Sequence, residues 1–92
     1  MAAAAVLANW DVLDIDSMKS VTQRMLAVKL NATGAKLETV EAHLARAVRL
    51  DPEEPENEIM WGVITKKHGK FKIAEAHFEA AIKIDPMHFG AH

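Results

Sequence analysis

Residues 40–52 read VEAHLARAVRLDP, and residues 74–86 read AEAHFEAAIKIDP. The two stretches stand 34 positions apart. Six positions are identical: Glu41/Glu75, Ala42/Ala76, His43/His77, Ala47/Ala81, Asp51/Asp85 and Pro52/Pro86. Leu44/Phe78, Val48/Ile82, Arg49/Lys83 and Leu50/Ile84 are conservative exchanges, and Lys36/Lys70 extends the match upstream. Apolar positions in each copy recur at three and four residues, the period of an amphipathic helix. Each copy ends on Asp-Pro, where a ring in place of the N–H stops the helix.

The marks outside the repeat fit the same reading. Gly34, Pro55 and Gly69 join the two Asp-Pro pairs as the main breaks in the chain. Between these marks the pattern predicts four helices, over about 17–33, 36–50, 56–68 and 71–84. Asp16 or Ser17 suits the N-cap of the first, and Pro55 suits the first turn of the third. Val6, Leu7, Trp10 and Leu13 share one face of a further helix over about 3–13. The class is all-α. Residues 1–16 read as a capping or docking segment, 17–54 as a degenerate repeat, 55–88 as a well-formed one, and 89–92 as the truncated start of another helix.

The second copy resembles the tetratricopeptide repeat family, whose unit is a helix pair of about 34 residues. Trp61-Gly62 stands where that family has its Leu-Gly pair. Gly69, Phe71, Ala74, Phe78, Ala81 and Pro86 follow at the family's spacing. Glu58 and Thr65 depart from it, standing where tryptophan and tyrosine are common. The resemblance covers residues 21–88 and is weakest over 21–35. In the 34-residue frame Val28 falls opposite Gly62 and Ala35 opposite Gly69, so a valine is expected to hold the first helix pair slightly apart. The resemblance implies an α-solenoid of antiparallel helix pairs that binds proteins or peptides.

Composition narrows the function classes. The chain has 92 residues and a net charge of -2, which disfavours bulk attraction to nucleic acid or acidic membrane. No apolar run approaches the roughly 18 residues that span a bilayer. The alanine-rich start, Met1 to Leu7, lacks a basic flank, and Asp11 and Asp14 follow soon after. No secretory signal is expected, and cytoplasmic residence is the default. Cysteine is absent, which removes disulfides and thiolate metal sites. Serine occurs only as Ser17 and Ser20, read as capping and first-turn residues. No nucleophile is paired with a base and no phosphate-binding glycine loop is present. We therefore expect no enzyme activity, no cofactor and no metal. His43 and His77 recur because the repeat recurs, and neither has a second ligand one turn away.

The resemblance also places a binding surface. The first helix of each repeat lines the concave face in that family. Carried onto this chain, the surface presents Met25, Lys29 and Ala32 from the first copy, and Glu56, Ile59, Val63, Lys66 and Lys67 from the second. An apolar stripe flanked by lysines suits an amphipathic helix or an extended peptide bearing carboxylates. Met25 and Val63 stand where chaperone-binding members place their carboxylate clamp, so the resemblance does not extend to that activity. Acidic residues from Asp51 to Glu58 and basic ones from Lys66 to Lys72 suit the two ends of the third helix. The alternative to a binding module is a structural unit that self-assembles through residues 71–92, because the last helix has no following repeat to cover it.

Overall fold

The computed structural model describes residues 15–87. The expected N-terminal cap and the start of a further helix, like His88, lie outside the described residues. Four helices follow one another: α1 (Ile15–Ala32), α2 (Leu37–Leu50), α3 (Pro55–Lys67) and α4 (Phe71–Ile84). They form two antiparallel-contacting pairs, α1 with α2 and α3 with α4. Asp16 and Ser17 lie inside the first turn of α1, so neither is its N-cap. Pro55 opens α3 as expected.

Both pairs turn in the same way. Gly34 and Gly69 have φ of 86° and 80°, a conformation that a side chain would strain. The N–H of Ala35 returns to the carbonyl of Leu30 at 3.0 Å, and that of Lys70 returns to Thr65 at 2.9 Å. These are the six-to-one bonds of a glycine-terminated helix. Each second helix also closes alike. Asp51 (φ -145°, ψ 82°) bonds back to Ala47, and Asp85 (φ -142°, ψ 87°) bonds back to Ala81.

The shared turn corrects the frame of the first copy. Residues 33–36 join α1 to α2, while residues 68–70 join α3 to α4. The first turn is one residue longer, so the first helices match at 35 positions and the second helices at 34. Gly34 then pairs with Gly69, Ala27 with Gly62, Met25 with Met60 and Val28 with Val63. Val28 does not stand between the helices; it is 38% exposed. Ala27 is wholly buried and packs in one core cluster with Val40, Leu44 and Ile64. In the second pair Gly62 serves the same purpose, since a Cβ there would lie 2.7 Å from the Phe78 ring.

Beside the core cluster, in which Ile64 of α3 meets residues of α1 and α2, the two pairs also meet through polar groups. Ser20, Asn57 and Thr65 are wholly buried. The hydroxyl of Ser20 donates to the carbonyl of Ala47 at 2.7 Å. The side-chain amide of Asn57 donates to Ser20 Oγ at 2.7 Å and to the Ala47 carbonyl at 3.2 Å. Its oxygen accepts from Arg24 at 3.0 Å, and Arg24 also pairs with Glu54 at 3.7 Å. Ser20 is thus a junction residue, not the solvated first-turn residue expected. Thr65 returns its hydroxyl proton to the Trp61 carbonyl at 2.9 Å. Among the described residues no buried side-chain polar atom lacks a partner.

These bonds also give the direction of the helices. Ser20 with Asn57 and Asn31 with His68 are each separated by 37 residues, so α1 and α3 run side by side in one direction. Glu41 meets Trp61 and Ala47 meets Asn57, so α2 and α3 run in opposite directions.

The frame has a direct test in urea unfolding. Ala27→Val is expected to cost about 1–3 kcal/mol by overpacking, and Val28→Ala less than about 0.5 kcal/mol as a surface change. The reverse order would restore the 34-residue frame for α1.

Candidate interaction surfaces

The expected site residues of α1 fall on the side that the core does not use, whereas those of α3 are partly covered. Met25, Lys29 and Ala32 are exposed on α1, one turn apart along one face. Glu56, Ile59 and Val63 are half-buried on α3, and Lys66 and Lys67 are exposed. The buried residues of α3 are Pro55, Asn57, Gly62, Ile64 and Thr65, spread around much of the helix.

These residues do not line one continuous groove. Met25, Lys29 and Ala32 border an open depression of about 600 Å³ with Leu26, Val28 and Met60. Val63, Lys66 and Lys67 border a second one, of about 430 Å³, with Phe71 and Phe78 of α4. Glu56 and Ile59 border neither. Sequence reasoning missed Val28 and Met60 on the first and the two phenylalanines on the second. The signal for the former was available: Met25/Met60 and Val28/Val63 are identities in the 35-residue frame. The phenylalanines stand in the sequence only as residues at the repeat family's spacing, and Phe71 is 65% exposed.

Helix α1 carries two apolar faces. One holds Ala27 and Leu30 against the core. The other leaves Met18, Val21, Met25 and Val28 open, with Met25 64% exposed. On α4, Phe71, Ile73 and Ile82 are open, and Met87 follows beyond its end. Few single apolar residues on a surface need explanation, but a run along one helix face marks a contact surface.

The histidines have structural partners. His43 Nδ1 lies 2.7 Å from Gln23 Oε1, and His77 Nδ1 lies 3.3 Å from Glu58 Oε1. Gln23 and Glu58 are again equivalent at 35 positions. His77 also stacks on Trp61 with ring centroids 4.3 Å apart, and the Trp61 indole N–H donates to Glu41 at 2.8 Å. Glu58, which departs from the resembled pattern, therefore anchors the ring that covers Trp61. Among the described residues no three His, Asp or Glu side chains converge as a metal site would require. Among them, too, no helix is long and apolar enough to cross a membrane.

Compared with protein-family models, with curated proteins and with solved structures, the chain matches none.

If these surfaces are open rather than packed, Met25→Asn and Phe71→Asn each change unfolding free energy by less than about 0.5 kcal/mol. A loss beyond about 1 kcal/mol for either would mean that the side chain is part of the core.

Proposed function

We propose that the chain is a two-repeat tetratricopeptide-like module that binds a peptide or helix along the open side of its first helices, and that it catalyses nothing. The observation that carries the reading is the 600 Å³ depression along α1, floored by methionine, valine and leucine and reaching Met60 of α3. Methionine-rich surfaces adapt to different apolar partners because the side chain is unbranched and polarizable. An amphipathic helix laid on such a surface would anchor through side chains at three- and four-residue spacing. Support for the repeat architecture comes from the two glycine-terminated turns, the matched Asp51 and Asp85 ends, and the common direction of α1 and α3.

A second reading has its own observation. The open residues Phe71, Ile73 and Ile82 of α4 suit contact with another copy of the chain. Self-association through α4 leaves the α1 depression free, so the two readings separate experimentally.

A photo-crosslinking residue at Met25 is expected to capture a polypeptide in cells, while the same residue at exposed Glu38 of α2 captures none. Equal capture at both, or none at Met25, would remove the α1 surface from the account. Light scattering over a concentration series tests the second reading. A rising mass that Ile82→Lys abolishes supports it, and a constant monomer mass contradicts it.

A further inference from the structure

Helix α1 is open along a face that its counterpart α3 keeps covered. In the 35-residue frame Met25 and Leu26 of α1 stand opposite Met60 and Trp61 of α3. Met60 and Trp61 are half-buried and pack against the core cluster, which includes Val40 and Leu44 of α2. Met25 and Leu26 are exposed, and Met18 and Val21 extend the apolar strip toward the start of α1. The helix that covers α3 is α2, which immediately precedes it in the chain and runs in the opposite direction.

The stretch that immediately precedes α1 has the apolar pattern of α2. Residues 1–14 lie outside the described residues, and their sequence carries the comparison. Leu13-Asp14 repeats Leu50-Asp51, the pair on which α2 ends. Counted back from that aspartate, the buried residues of α2 (Val40, Leu44 and Ala47) correspond to Ala3, Leu7 and Trp10, all apolar. A helix over residues 3–13 is about 16 Å long, and the strip from Met18 to Val28 spans about 15 Å. Charge agrees as well. Asp11 and Asp14 belong to the stretch, while Lys19 and Lys29 are exposed on α1. Tethering favours this occupant over a second copy. A segment joined by a short link to the helix it covers has an effective concentration on the order of millimolar, above that of a separate chain.

We infer that residues 3–13 fold back as a helix antiparallel to α1 and cover its open face, with Leu7 and Trp10 seated among Met18, Val21 and Met25. The segment does for α1 what α2 does for α3. The contact is local and opens without unfolding the four helices. The segment therefore competes with any polypeptide that uses the α1 depression. The inference rests on the reading of the α1 face as a docking surface and names its resident occupant. Its test uses the isolated chain, so the result is independent of whether an outside polypeptide is captured at Met25.

Paramagnetic broadening in the full chain tests this. The chain has no cysteine of its own, so Lys29→Cys carries a single nitroxide. Docking brings residues 3–7 back to about 10 Å from α1, the spacing of packed helices. A helix running straight on from α1 would hold them more than about 30 Å from position 29. The amide signals of residues 3–7 are expected to lose most of their intensity relative to the reduced nitroxide. The same label on Glu79→Cys of α4 should leave them intact. Leu7→Asp with Trp10→Asp should restore the signals, and so should Met25→Asp on the other side of the contact. Met25 is exposed among the described residues, so that change leaves the four helices folded. Full intensity at residues 3–7 in the unsubstituted segment, or a loss that persists in either variant, overturns the inference. A loss seen only when the nitroxide sits on a second, isotopically silent chain places the segment on another copy and likewise overturns it.

Discussion

The arrangement of the four helices depends on one buried amide. Asn57 lies where α1, α2 and α3 meet, and both the nitrogen and the oxygen of its amide are hydrogen-bonded inside the protein. Burying an amide without partners is costly, and a half-satisfied one little better. The bonds to Ser20, to the Ala47 carbonyl and to Arg24 therefore constrain α3 in register against both other helices. The Ala47 carbonyl that Ser20 and Asn57 share lies in the last turn of α2, where the dipole is negative, and it also accepts the N–H of Asp51. Aliphatic contact alone would allow α3 to slide; directional bonds at 2.7 Å and 3.0 Å do not. The placement of α4 follows from that of α3, through the seat that Gly62 makes for Phe78.

Much of this architecture was legible in the chain. The helices α2 and α4 carry the repeat because both faces of their packing recur, and their predicted ends lie within a residue of those observed. The first helix was placed in the wrong frame for a physical reason. A turn is less constrained than a packed helix, so it admits one extra residue while the glycine and its backbone bonds keep their geometry. Ser20 and Asn57 were illegible because a lone polar residue on a helix usually faces water. Only the neighbouring helices make them interior. The faces of α1 and α3 came from the family resemblance; Met25, Lys29, Ala32, Lys66 and Lys67 are exposed on them, while Glu56, Ile59 and Val63 are half-buried. What lies across from each was not legible, since Met60, Phe71 and Phe78 join those faces only through tertiary packing.

The polar junction and the open surfaces are two consequences of the same economy of side chains. Ser20, Arg24 and Asn57 share the contact between the pairs with Ala27, Val40, Leu44 and Ile64, and the methionines and valines of α1 lie elsewhere. Met18, Val21, Met25 and Val28 remain outward. Likewise Phe78 is seated by a glycine, which brings α4 close and leaves Phe71 at the edge of a recess. A fold held together by small and polar residues at its joints can leave its large apolar residues available to partners.

The central claim is that Ser20 and Asn57 act as one unit in holding the two helix pairs together. A double-mutant cycle measures this directly, with unfolding free energies for Ser20→Ala, Asn57→Ala and the two combined. The account predicts a coupling energy of about 1–3 kcal/mol, because Ser20→Ala leaves a buried amide hydrogen of Asn57 without its acceptor, a cost that disappears once Asn57 is also removed. Additivity within about 0.5 kcal/mol would contradict it, and would mean that apolar packing alone positions α3.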